Sequence, residues 1–91
     1  MNLSLNDKVA IITGGSDGIG KAAAISLARE GAKVAIIARN QEKIDLAVKE
    51  IKQITNGSVI GISADVSVES DVKDMVSTVN AEFGGVDILI N

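Results

Sequence analysis

Val9-Ala10-Ile11-Ile12-Thr13-Gly14-Gly15-Ser16-Asp17-Gly18-Ile19-Gly20 is the stretch on which the fold of this chain turns. Its apolar head reads as a buried strand, its glycines as a tight turn, and Gly18 as the start of a helix. A turn of this kind gathers bare backbone N–H groups and the positive end of a helix dipole at one point, which suits a phosphate. Gly14, Gly18 and Gly20 are spaced Gly-x-x-x-Gly-x-Gly. Gly14 is expected to let the chain leave the strand sharply, Gly18 to let the backbone approach a pyrophosphate, and Gly20 to let the helix pack tightly on the strand.

Working outward, apolar runs and amphipathic stretches alternate. Lys8–Thr13 is the first strand. The helix over residues 18–30 has Ile19, Ala22, Ala23, Ser26 and Leu27 at helical spacing, and Gly31 stands where a glycine would stop it. Lys33–Ala38 is a second buried strand. Asn40 is a good N-cap for a second helix striped by Ile44, Ala47, Val48, Ile51 and Ile54, which Asn56-Gly57 ends. Val59–Ser63 is a weaker third strand with Gly61 inside it. Ser67 is placed to cap a third helix with Val72, Met75, Val76, Val79 and Phe83 on its apolar face, closed by Gly84-Gly85. Val86–Asn91 opens a fourth strand. The resulting β-α-β-α-β-α-β pattern predicts an α/β chain. With right-handed crossovers it gives a Rossmann-type doubly wound parallel sheet of strand order 3-2-1-4, truncated at strand 4, with residues 1–91 as the N-terminal part of a single dinucleotide-binding domain.

Composition agrees. Apolar residues make up 46% of the 91 residues and only one is aromatic, so the core must be Ile, Val, Leu and Ala, as in a parallel sheet covered by helices. Net charge is −3, and Lys and Arg never form a run, which leaves no nucleic-acid footprint. Cysteine and histidine are both absent, removing thiolate and imidazole metal sites and the commonest general base, so no metal is expected. The stretch Met1–Lys8 lacks the basic and apolar regions of a secretory signal, and no apolar run approaches the roughly 18 residues of a membrane span. A soluble, cytoplasmic protein without membrane partners is expected.

Gly15–Ala22 also fits Gly-x-x-x-x-Gly-Lys, the start of a P-loop, with Asp65 as a conceivable Mg²⁺ carboxylate. That alternative fails at Ala22, where a Ser or Thr hydroxyl is needed for Mg²⁺, and Lys21 then reads as a solvated first-turn lysine. The residue after the second strand bears on the dinucleotide. A carboxylate there would bind the adenosine ribose and repel a 2′-phosphate, but the position falls at Ala38, followed by Arg39. A guanidinium can pair with a 2′-phosphate. Asp17 argues the other way by adding negative charge near the phosphates. On balance NADP (NADPH) is favoured over NAD.

Together these residues resemble the short-chain dehydrogenase/reductase family. Thr13–Gly20 matches its Thr-Gly-x-x-x-Gly-x-Gly motif at every fixed position, so the resemblance makes Gly14, Ser16, Asp17, Gly18, Ile19 and Gly20 cofactor-binding residues. Asp65-Val66 looks like the family's adenine-site pair, which implies that the Asp65 side chain accepts from the adenine amino group and the Val66 N–H reaches a ring nitrogen. Asn91 looks like the first Asn of the family's Asn-Asn-Ala-Gly motif and joins the cofactor-binding set. The resemblance runs from Leu5 to the end and is closest in flavour to bacterial 3-oxoacyl-carrier-protein reductases and glucose or general alcohol dehydrogenases. It implies hydride transfer between nicotinamide and a small-molecule carbonyl or alcohol substrate, and a homo-oligomer. The family's proton-handling Tyr-x-x-x-Lys and Ser lie later in the chain, and this sequence has no Tyr. No catalytic residue is therefore assigned, and the 91-residue chain alone is expected to be inactive.

Two other readings belong beside this one. Asp65 and Ser67 could simply cap the third helix. The apolar fourth strand would be a sheet edge, so the chain is either part of a longer enzyme or a non-catalytic fragment that self-associates there; the former is expected.

Overall fold

β1 (Val9–Thr13), β2 (Lys33–Ala38), β3 (Val59–Ser63) and β4 (Ile88–Ile90) form one parallel sheet in the order β3-β2-β1-β4. The structure, a computed structural model, describes residues 5–91. Residues 1–4, the head of the stretch read as no signal sequence, lie outside the described residues. Helices α1 (Gly18–Arg29), α2 (Gln41–Thr55) and α3 (Glu69–Phe83) make the crossovers. The register sets Ile11 opposite Ala35 and Leu89, and Ile36 opposite Gly61.

Because side chains alternate across a strand, each strand feeds two cores. Ile12, Val34, Ile36 and Val59 pack with Ala24 and Ala28 of α1 and with Ile44, Ala47 and Ile51 of α2. Val9, Ile11, Ala35 and Ile37 pack with Met75 and Val79 of α3. Both faces are covered, which is why β1 and β2 are apolar throughout rather than alternating. Gly61 has its own steric reason. A Cβ there would lie 2.1 Å from Ile44 Cγ2, so α2 rests directly on β3.

The structure corrects several details. On α1 the buried residues are Ala24 and Ala28, whereas Ala22 and Ser26 are exposed and Ile19 is 91% exposed. Gly20 fixes that phase, because it is held against the preceding turn and puts Ala24 and Ala28 on the same face at four-residue intervals. Ile54 and Val76 reach the surface at the edges of their stripes. β1 begins at Val9, and Glu30 is the C-cap of α1 rather than its last residue. β4 is shorter than 86–91, because Asp87 clamps its start. The Asp87 N–H donates to the Val9 carbonyl (2.8 Å) and its carboxylate accepts from the Val9 N–H (2.9 Å).

Candidate functional site

The carboxyl ends of β1, β2 and β3 open on a cleft of about 640 Å³, the place where open α/β sheets take ligands. Each strand end contributes one wall.

The β1 wall is the glycine turn. The Gly14 N–H donates to the Ile37 carbonyl at 2.7 Å, tying the turn to β2. Gly14 and Gly18 adopt φ of +72° and +52°, a region that strains any residue with a Cβ. Gly20 and Gly15 are needed for space. A Cβ on Gly20 would lie 2.3 Å from the Gly14 carbonyl oxygen, and one on Gly15 would lie 2.6 Å from Ile36 Cγ2. Gly20 therefore packs on the backbone of the turn rather than on the strand, and Gly15, which the sequence reading used only as the first glycine of the P-loop alternative, packs on β2.

Asp17 is the N-cap of α1, yet its side chain makes no capping hydrogen bond, and the first turn holds no acidic residue. The helix ladder starts with Lys21 N–H to the Asp17 carbonyl, at 3.1 Å. The N–H groups of Gly18, Ile19 and Gly20 thus have no intrahelical acceptor. Nothing lies within 4 Å of where a Gly18 Cβ would be. Open space beside uncommitted donors at a positive helix end fits an anion such as a pyrophosphate. Lys21 is turned away from this point and pairs with Glu50 of α2, so it is not the solvated lysine expected.

The β2 wall is Arg39 and the start of α2. The Asn40 side chain accepts from the Lys43 N–H at 3.1 Å and caps α2 as expected. Arg39 is 81% exposed, with its guanidinium 3.8 Å from the Asp65 carboxylate. Lys43, which sequence reasoning did not single out, also lines the cleft, its ammonium 3.9 Å from Asp17. Its signal in the sequence was its place three residues after a good N-cap.

The β3 wall is Asp65-Val66. The Asp65 Oδ1 accepts from the Ser67 hydroxyl (2.6 Å) and N–H (2.9 Å), while the Asp65 N–H donates to Asp71 (2.9 Å). The Ser67 hydroxyl, then its N–H, hold the Asp65 carboxyl below the usual carboxylate range, with Arg39 adding to the effect against a little burial. Asp65 and Ser67 close the turn before α3 on each other. Neither caps that helix, whose N-cap is Val68. The Ser63 hydroxyl donates to the Arg39 carbonyl at 3.2 Å and joins this wall to the second.

Of the residues singled out in the sequence, Gly14, Ser16, Asp17, Arg39, Asp65 and Val66 line the cleft together. Gly18, Ile19 and Gly20 form the first turn of α1. Asn91 stands apart at the end of β4, where the Thr13 hydroxyl shares its hydrogen between the Ile90 carbonyl and Asn91 Oδ1, both at 3.3 Å.

The family model for short chain dehydrogenases matches residues 8–91. A short chain dehydrogenase of Pseudocercospora fijiensis is 46% identical over 87 residues, which is 96% of this chain and 28% of that protein. The short-chain dehydrogenase/reductase homolog YusS of Bacillus subtilis is 42% identical over 90 residues, covering 98% of this chain and 82% of YusS. L-sorbose reductase from Gluconobacter frateurii, solved with NADPH and L-sorbose, superposes with a TM-score of 0.95 at 37% identity, over 100% of this chain and 35% of that one. The chain spans 28% to 36% of the length of curated relatives such as the Pseudocercospora and Staphylococcus epidermidis proteins. Among the described residues, no helix is long and apolar enough to cross a membrane.

Proposed function

The chain belongs to the short-chain dehydrogenase family, and from that premise we propose that it forms the NADP(H)-binding portion of an oxidoreductase acting on a carbonyl or alcohol substrate. The observation that carries the choice of cofactor is the β2 wall. No carboxylate follows that strand, and an exposed Arg39 stands there instead. A guanidinium at this place favours a 2′-phosphate, whereas a carboxylate would favour a ribose hydroxyl.

The remaining residues take complementary roles. The first-turn N–H groups of α1 receive the pyrophosphate, with Gly14 and Gly18 shaping the turn around Ser16 and Asp17. Ile19, almost wholly exposed at the helix start, covers the bound dinucleotide. Asp65 and Val66 accept from and donate to the adenine. Asn91, at the end of β4 beside Thr13, completes the cofactor-binding set. When bound, the nicotinamide supplies the hydride chemistry. This chain supplies binding and orientation, and the proton-handling residues lie outside it, so residues 1–91 act as the cofactor-binding part of one domain and are inactive alone. A cytoplasmic, homo-oligomeric enzyme with a small-molecule substrate completes the proposal.

Titration of the wild-type chain and of Arg39→Asp with NADPH and NADH tests it. The wild type is expected to bind NADPH about tenfold or more tightly than NADH, the scale of one charge-assisted contact. Arg39→Asp should reverse the order. An unchanged preference in the variant would refute the assignment of Arg39.

A further inference from the structure

The proposed site uses Arg39 alone for the 2′-phosphate, yet a second cation stands on the same wall. Lys43 occupies the first turn of α2. Its backbone N–H is already committed to the Asn40 cap. Helical side chains lean toward the N-terminus of their helix, so the Lys43 ammonium comes back over the cleft that Arg39 borders.

Both cations are loosely held. The Lys43 ammonium lies 3.9 Å from Asp17, with the two side chains 61% and 73% exposed. The Arg39 guanidinium lies 3.8 Å from Asp65. Pairs this long and this exposed contribute little, so separating them is cheap. The cleft thus presents two positive groups, each parked on a carboxylate from a neighbouring loop. A phosphate carries more charge than a carboxylate and offers more acceptor oxygens, so it competes effectively for both cations. Ile44 makes the first ladder bond of α2, to the Asn40 carbonyl, which leaves the Gln41 and Glu42 N–H groups between the two cations without an intrahelical acceptor.

We propose that Lys43 is a second 2′-phosphate ligand, and that Asp17 is the counter-ion holding it in the free protein until the phosphate draws it away. The inference rests on the NADP(H) reading of the site. It makes discrimination a property of two cations four residues apart. With a ligand that lacks the 2′-phosphate, Lys43 stays on Asp17 and contributes nothing to binding.

Adenosine 2′,5′-bisphosphate and 5′-AMP isolate this contact, since they differ only in the 2′-phosphate. Calorimetric titration of both into the wild-type chain, Lys43→Met and Lys43→Arg reads it directly. Lys43→Met should weaken the bisphosphate about tenfold, the value of one charge-assisted hydrogen bond, and leave 5′-AMP within about twofold. Lys43→Arg should keep most of the wild-type ratio, because the charge remains. Equal weakening of both nucleotides by Lys43→Met, or no weakening of either, overturns the role of Lys43. A wild type that prefers the bisphosphate while Lys43→Met keeps the same ratio overturns this inference and leaves the NADP(H) reading standing. A wild type that binds the two nucleotides equally defeats both.

Discussion

Two helices begin at the cleft, and they begin differently. α2 is partly closed at its N-terminus by its own side chains, with the Gln41 and Glu42 N–H groups left open. Asn40 caps the Lys43 N–H, and Glu42 places a negative charge in the first turn. α1 starts at an equally suitable residue, Asp17, whose side chain makes no capping bond, and its first turn has no acid. A cap contributes about 1 kcal/mol, so leaving one unmade keeps the donors of Gly18, Ile19 and Gly20 uncommitted at some cost in stability. The helix that stabilises itself offers an anion the long side chains of Arg39, just before its cap, and Lys43, in its first turn. The helix that does not can recognise one through its backbone.

The largest break in this comparison is Gly20→Val. A Cβ there meets backbone, the Gly14 carbonyl, at 2.3 Å, and neither partner can swing aside. The variant should lose about 3 kcal/mol, the upper end for overpacking, in a urea titration, and its NADPH binding should fall with the displaced turn. A loss below about 0.5 kcal/mol, the scale of an ordinary surface change, would mean that α1 does not lie on the turn as described.

The two N-caps give the next effect. Asn40→Ala should destabilise the chain by about 1 kcal/mol. Asp17→Ala should change it by less than about 0.5 kcal/mol, since it removes only a long, exposed ion pair. Similar losses in both variants would erase the difference between the helix starts.

The smallest effect concerns the third strand end. The Asp65 carboxyl is held below its usual range by Ser67 and then Arg39. A depressed folded-state value means that its contribution is present above the ordinary carboxylate range and is lost as pH falls through the folded value. Asp65→Asn should therefore flatten the acid limb of stability against pH while leaving the neutral region least changed in shape. An acid limb identical to the wild type would show that Asp65 carries no such linkage.

Much of this was legible in the sequence for identifiable reasons. The strand order follows from alternating apolar runs and right-handed crossovers, and it appears as β3-β2-β1-β4. Asn40 announces its cap locally, and Thr13–Gly20 announces the turn. What failed depended on distances across the fold. The apolar face of α1 was misphased because a helix of Ala, Ile and Leu has no sharp polar boundary, and only the contact of Gly20 with Gly14 sets its rotation. Lys21 meets Glu50, and Lys43 meets Asp17, over separations that no local pattern encodes. Ser67 was a sound N-cap by type, but Asp65 two residues earlier claimed its hydroxyl, and Val68 is the N-cap of α3 instead.

On the proposed reading, the uncapped start of α1 and the cationic side chains of Arg39 and Lys43 at the start of α2 receive one dinucleotide between them. Amide chemical-shift mapping of the ¹⁵N-labelled chain during NADPH titration tests it most directly. The largest shifts are expected at Gly18, Ile19 and Gly20 and at residues 39–43, with α3 beyond its first turn scarcely moved. Shifts concentrated on α3 or β4, or none at saturating NADPH, would contradict it.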